Sequence, residues 1–226
     1  EKGPEVPILN YRIHQRRLLP KLAKTYAIHF ALQYVTSRFM ARSESEMPEI
    51  EALAAGMKAY STWNTTAVLQ ECREACGGKA YLSENRIDAL KNDTEVLMQL
   101  VAKNRLSEFR KSFGQMDARG IIQYVYENAK TIISEKNPIA TRNTEESHLL
   151  DDNFHLSAFQ YREKTTLASA AKRLKKLIDS GLDPYDAFNV VQHQMIDVAQ
   201  AYLERTVLEQ FLVAIASMED QNIKTV

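Results

Sequence analysis

The sequence is poor in the residues that build turns. Seven glycines and six prolines are spread over 226 positions. That scarcity excludes turn-rich β-sandwiches and collagen-like or Pro-rich chains, and it favours long helices. Two cysteines are too few for a disulfide framework. Cys72 and Cys76 fall on one face of an expected helix, a spacing ill-suited to tetrahedral zinc. They read as two small buried apolar side chains. No apolar run approaches the roughly 20 residues that span a bilayer. No signal-peptide pattern occurs, so a soluble protein of a reducing compartment is expected. Net charge is absent too, since 29 Lys and Arg offset 29 Asp and Glu. That balance removes the electrostatic case for nucleic acid or an anionic membrane as a partner. Internal repeats and low-complexity segments are lacking.

What remains is helical periodicity. Leu18, Leu22, Tyr26, Phe30 and Tyr34 step by four, with Leu19, Ala23, Ala27, Ala31 and Val35 beside them. This double row predicts a first helix running to about Ala41, broad enough to be covered on more than one side. Pro20 must lie near its start or kink it. After a polar link from Arg42 to Glu46, Pro48 among acidic residues opens a second helix that ends at Gly77. Its inward stripe is Ile50, Leu53, Ala54, Met57, Tyr60, Asn64, Ala67, Val68 and Cys72. Residues 77–95 read as a loop, 96–113 as a third helix and 116–135 as a fourth. Asn137-Pro138 stops the fourth. Asn143 with Glu146 resembles a capping box for a long fifth helix over 144–179. That helix turns Leu150, Phe154, Tyr161, Ala168, Ala171, Leu174 and Ile178 inward and ends at Gly181. Asp183-Pro184 opens the sixth, with Ala187, Val191, Met195, Val198, Tyr202, Leu208, Leu212 and Ile215 inward. The expectation is an all-α fold of about six helices in two antiparallel bundles, residues 1–113 and 114–226. Gly114 and Gly120 mark the boundary.

The stretch Cys72-Arg73-Glu74-Ala75-Cys76-Gly77-Gly78-Lys79-Ala80-Tyr81-Leu82-Ser83-Glu84-Asn85-Arg86 is the most distinctive. By itself the glycine pair is a good helix stop, and it also allows close approach of backbone to a ligand. The whole string resembles the corresponding segment of acyl-CoA oxidases, flavoenzymes related to the acyl-CoA dehydrogenases. Pro7-Ile8-Leu9-Asn10-Tyr11 with His14-Gln15-Arg16-Arg17-Leu18-Leu19-Pro20 is similar to the entry of their helical C-terminal part. Val96-Leu97-Met98-Gln99 is similar to the segment after their catalytic loop.

The resemblance implies an FAD-dependent enzyme that forms a trans-2-enoyl-CoA from an acyl-CoA and releases hydrogen peroxide, in fatty-acid β-oxidation. It implies a homodimer in which backbone at Gly77 and Gly78, with Glu74 near by, contacts the flavin of the neighbouring subunit. Glu74 stands where dehydrogenase relatives often carry glutamine, and Lys79-Ala80 where many oxidases have His-Gly. The family's base is a glutamate in an aromatic-Glu-Gly-Asp-Asn motif ahead of the Val-Leu-x-Gln helix. Here Asp93-Thr94-Glu95 runs directly into Val96. No catalytic residue is therefore assigned: either the segment is absent and the chain is a non-catalytic homologue, or the expected glutamate belongs on further residues between Glu95 and Val96. Glu95 itself reads as an exposed acid at a helix N-terminus. The family's N-terminal helical domain and β-domain are not represented, so the chain resembles the C-terminal half of a larger enzyme, inactive alone.

Two alternatives use other residues. One is a metal-binding bundle: Glu145 and His148 have Glu-x-x-His spacing, and Asp152 and His155 repeat it. A di-iron bundle needs that motif on two helices, so a polar helix face is the better reading and no metal is assigned. His14, His29 and His193 are scattered and read as structural or solvated. The other alternative is a non-catalytic helical dimerisation module. The acyl-CoA oxidase reading implies cytoplasm in a bacterium and peroxisome in a eukaryote, although the chain shows no C-terminal peroxisomal signal.

Overall fold

Residues 3–95, 138 and 143–218 are described by the computed structural model. All regular structure among them is helical, with no strand. The chain divides into two compact units, residues 1–105 and 106–226. The boundary expected near Gly114 and Gly120 lies outside the described residues, as do the expected third and fourth helices.

In the first unit a short 3-10 turn, Ile8–Asn10, leads into helix α1, Arg12–Met40. The helix starts earlier than the apolar stripe alone indicates, which puts Pro20 in its interior. Pro20 and Arg16 are exposed, so the carbonyl that loses its partner faces solvent and the helix continues. Ser43 and Glu46 then pair across the link. The Ser43 amide donates to Glu46 Oε2 at 3.0 Å and the Ser43 hydroxyl at 2.6 Å. Helix α2 follows, Met47–Cys76, with Pro48 in its first turn as expected.

Helices α1 and α2 pack against each other, and their charges fix the direction. Arg38 at the end of α1 meets Glu49 at the start of α2, at 2.8 Å. Arg17 near the start of α1 meets Glu71 near the end of α2, at 2.6 Å. The pair is therefore antiparallel. Its buried core is Ala27, Ile28, Ala31 and Val35 of α1 with Ile50, Leu53, Met57 and Ala59 of α2. Of the double row on α1, only the Ala27-Ala31-Val35 half is buried. Leu19, Leu22 and Tyr26 are exposed. On α2, Ala54 and Ala67 are exposed, against expectation, and Ala59 is buried. Alanines carry too little apolar area to decide which side of the stripe turns inward.

Residues 77–95 are not the expected loop. Two 3-10 turns, Gly77–Tyr81 and Ser83–Asn85, lead to helix α3 over residues 87–95. Ala80, Ile87 and Thr94 recur at seven-residue steps and all are buried. Two helical turns bring Ile87 and Thr94 to one side of α3; Ala80 precedes the helix, in the first 3-10 turn.

In the second unit the expected long fifth helix is broken. A single turn, α4, Glu146–Leu149, is separated from α5, Asp152–Asp179, at Leu150 and Asp151. Asp151 caps α5, taking the Asn153 amide at 3.0 Å. Asn143 takes the Glu145 amide at 2.9 Å in a local turn rather than forming a capping box with Glu146. Leu150 is exposed as a result. Short polar side chains that bond backbone two residues on compete with helix at both points. At the other end of α5, Gly181 has φ 92°. Its amide reaches the Ile178 carbonyl at 2.9 Å, and Leu182 reaches Leu177 at 3.2 Å, a Schellman stop. Asp183 caps α6, Pro184–Ser217, by accepting from Tyr185 N at 2.9 Å. Leu174, Ala187, Phe188 and Val191 form the core of the α5–α6 pair, with Leu177, Ile178 and Met195 against it. That core lies beside the connection, while Arg162 meets Glu204 and Glu163 meets Arg205 far from it on both helices, so the pair is antiparallel.

Burial, not residue type, should set the cost of truncation. Met57 is 0% exposed and Met40 is 77% exposed. Met57→Ala is expected to lower unfolding free energy by about 2–5 kcal/mol, and Met40→Ala by about 0.5 kcal/mol or less. Urea denaturation of the two variants measures the difference.

Candidate functional site: the glycine turn at the end of α2

Helix α2 cannot continue past Cys76, because Gly77 takes φ 56° and ψ −135°. Only glycine adopts that backbone without strain. The Gly77 amide returns to the Glu74 carbonyl, and the chain turns into the Gly77–Tyr81 segment. Gly78 is different. Its φ is ordinary, and a Cβ built there meets nothing within 4 Å. Nothing in the described part of the chain therefore requires Gly78 to be glycine. Both glycines are exposed. The result is a bare stretch of backbone facing open space, the arrangement a closely approaching ligand or subunit needs.

Asn85 holds the turn by donating its side-chain amide to the Lys79 carbonyl at 2.6 Å. Arg73 lies over the Tyr81 ring, 5.4 Å from its centroid. Arg86 closes the second 3-10 turn in the left-handed conformation, φ 56°, uncommon for a residue with a long side chain.

Glu74 is committed elsewhere. Its carboxylate takes the Gln70 side-chain amide at 2.9 Å and the Arg17 guanidinium. The Gln70 hydrogen bond first, and the Arg17 bond second, hold its carboxyl below the ordinary value of 4.5. Ser43 does the same for Glu46, and Arg38 for Glu49. Glu95 sits in α3 rather than at a helix N-terminus, because the helix begins at Ile87. It is exposed, and Lys91 Nζ lies 4.0 Å from it. The junction to Val96 lies outside the described residues.

The other candidates do not converge. His148 packs on Phe154, ring centroids 4.2 Å apart, and His155 Nε2 lies 2.6 Å from the Leu149 carbonyl oxygen. A shallow depression lined by Pro138, His148, Asp151, Asn153, Phe154 and Ser157 lies beside them. No group of three or more metal-ligating side chains occurs among the described residues. His29 and His193 are exposed, and His14 is half-buried with Nδ1 shielded and unpaired. Cys72 is half-buried and Cys76 exposed, not both buried as the sequence suggested. A step of four overshoots a 3.6-residue turn, and Cys76 stands at the helix end where neighbours run out. No described helix is long and apolar enough to cross a membrane.

Comparison with known proteins decides what carries this turn. The family model described as "Acyl-CoA oxidase, C-alpha1 domain" matches residues 1–105, and "Acyl-CoA oxidase" matches 151–226. The chain belongs to the acyl-CoA oxidase family. Acyl-coenzyme A oxidase 2, peroxisomal, of Arabidopsis thaliana is 35% identical over 99% of this chain and 34% of that relative. Acyl-CoA oxidase 1 of Yarrowia lipolytica has the same fold, with TM-score 0.75 and 24% identity over 97% of this chain and 35% of that one. Acyl-CoA oxidase-1 of Caenorhabditis elegans, solved with FAD and ATP, gives TM-score 0.79 at 20% identity over 100% of this chain and 36% of that one. The chain thus spans about a third of the length of the oxidases it matches. The match to the plant relative runs over 237 positions. This chain has 226 residues, so the relative holds about a dozen residues that have no counterpart here.

The two glycines should respond oppositely to the same substitution. Gly77→Ala is expected to cost about 1–3 kcal/mol through backbone strain, while Gly78→Ala gains up to about 1 kcal/mol. Thermal unfolding of the variants checks both signs.

The depressed carboxylates imply acid sensitivity. Their charged forms are favoured in the folded state, so their contribution is complete above about pH 4.5 and is lost as pH falls further. Thermal midpoints measured down a pH series should drop through that range. Glu74→Gln should shallow the drop.

Proposed function

We propose that the chain is the C-terminal helical part of an FAD-dependent acyl-CoA oxidase. The overall reaction removes two hydrogens from the carbons next to an acyl-CoA thioester. Acyl-CoA and oxygen give trans-2-enoyl-CoA and hydrogen peroxide. The observation that carries the reading is the exposed Gly77–Gly78 backbone, open above Gly78, in a chain of this family. Bound FAD would supply the hydride acceptor and the route to oxygen. The residues here fit its approach: two positions without side chains lie on a turn that Asn85 and the α2 terminus hold in place.

The chain's own part is binding and orientation. Gly77 and Gly78 offer backbone to the flavin of a second subunit, so the active form is a homodimer. The exposed row Leu19, Leu22 and Tyr26 on α1 supports a further apolar contact. The base that takes the proton next to the thioester is a glutamate on a segment between Glu95 and Val96 that this sequence lacks. The direct run of Asp93-Thr94-Glu95 into Val96, with family-like strings on both sides, supports that assignment. We propose two domains, 1–113 and 114–226; the two family models, over 1–105 and 151–226, are consistent with a division between them. The compartment follows the source: peroxisome in a eukaryote, as in the plant relative's name, and cytoplasm in a bacterium.

The test is flavin reduction and peroxide. The complete protein, with the preceding domains and the glutamate-bearing segment, should bind FAD. Its flavin colour should bleach when acyl-CoA is added without oxygen, and air should then yield peroxide. The 226-residue chain alone should yield none. Peroxide from the chain alone would remove the assigned base. A complete protein that dimerises but never holds flavin would instead establish the interaction-module reading.

A further inference from the structure

The α1–α2 hairpin is built unequally along its length. Every fully buried residue of α2 lies between Ile50 and Ala59. From Tyr60 to Cys76 the helix has none. That second half carries the glycine turn, and its apolar side chains Tyr60, Val68, Leu69 and Cys72 are only half-buried. Polar bonds tie it to α1. Arg17 Nε donates to Glu71 at 2.6 Å while its other arm reaches Glu74. Lys21 Nζ lies 3.7 Å from the other Glu71 oxygen. Glu71 and Glu74 are one helical turn apart, so a single guanidinium fork grips the last two turns of α2 just before Gly77.

The network continues beyond Glu74. Gln70 donates to Glu74 at 2.9 Å, and Lys91 of α3 donates to the Gln70 oxygen at 2.7 Å. Lys91 also faces Glu95. One connected path therefore runs from α1 through the end of α2 to α3, on both sides of the Gly77–Asn85 segment. Arg17 and Lys21 are its anchors on α1 among the described residues. Its side chain is 35% exposed and that of Glu71 is 26% exposed, so neither charge is wholly screened by water.

We infer that Arg17 is a positioning residue: through Glu71 and Glu74 it sets where the Gly77–Gly78 backbone stands, without itself touching the cofactor. Glu74 then acts on the turn rather than on the flavin. The inference rests on the reading of Gly77–Gly78 as a flavin contact. A backbone contact at van der Waals distance tolerates little displacement, so a loosened α2 end costs affinity even though the fold survives.

The experiment uses the full-length protein loaded with FAD, with variants Arg17→Met, Gly78→Val and the charge-reversed pair Arg17→Glu with Glu71→Arg. The readouts are FAD dissociation constant and amide hydrogen exchange. Arg17→Met should weaken FAD binding about tenfold and quicken exchange over residues 77–95. Exchange over 50–59 should stay unchanged, which separates positioning from general destabilisation. The charge-reversed pair sets a carboxylate against Glu74 and should recover little of the lost affinity. If Gly78→Val weakens FAD binding and Arg17→Met does not, the positioning role is wrong and the flavin reading stands. If Gly78→Val leaves FAD binding intact, the flavin reading itself falls and the role of Arg17 falls with it. Unchanged exchange over 77–95 in Arg17→Met also overturns the inference.

Discussion

The grip of Arg17 on Glu71 and Glu74 decides more than its exposed position suggests. Toward the other end of the hairpin, Ile50, Leu53 and Met57 are buried along with Ile28, Ala31 and Val35, and burial holds the helices with the Arg38–Glu49 pair beside it. Toward the glycine turn burial is weaker: Val68, Leu69 and Cys72 are only half-buried. A lone surface ion pair is worth at most about 1 kcal/mol. Here one guanidinium serves two carboxylates on a single helix face, and Gln70 and Lys91 extend the contacts. Side chains already restrained by one partner lose less freedom to the next. The end of α2 is therefore placed by directional bonds. Such bonds specify position well while leaving the surface open for a ligand or a second subunit.

The second unit combines the two mechanisms differently. Leu174, Phe188 and Val191 make an apolar cluster beside the α5–α6 connection. Further along, Arg162 meets Glu204, and Glu163 meets Arg205, which also donates to Glu209 at 2.6 Å. Burial there extends past the cluster to Ala201, Leu203, Thr206 and Val207. The ion pairs thus flank a core that is present anyway. The described glycine turn of that unit, at Gly181, is also exposed, but it is a single glycine in a Schellman stop followed directly by the Asp183 cap of α6, whereas the end of α2 offers two glycines in a row.

Several features were legible locally and several were not. Pro48, Gly77, Gly181 and Asp183-Pro184 mark helix ends through backbone chemistry that neighbouring residues dictate, and the structure has each of them. The break at Leu150 was hidden because the apolar period continues through it. Asp151 overrides the period by capping the next helix. Helix α3 was hidden in another way: Lys91, Asn92 and Asp93 make the segment read as loop, and its buried positions are only Ile87 and Thr94. The site divides along the same line. Gly77 and Gly78 were found from their string. The committed state of Glu74 was not, since its partner Arg17 lies 57 residues away.

By itself the sequence determined the all-α class and the position of the glycine turn. Each depends on residues within a few helical turns of one another, where spacing and backbone preference act directly. Only the tertiary structure decided which half of the α1 stripe is buried, that α2 is at most half-buried beyond Ala59, and that Arg17 bonds to it there. Those outcomes depend on where one helix lies against another. Residues more than 50 positions apart come together only when the hairpin closes, and no local pattern encodes which of several charges will then face each other.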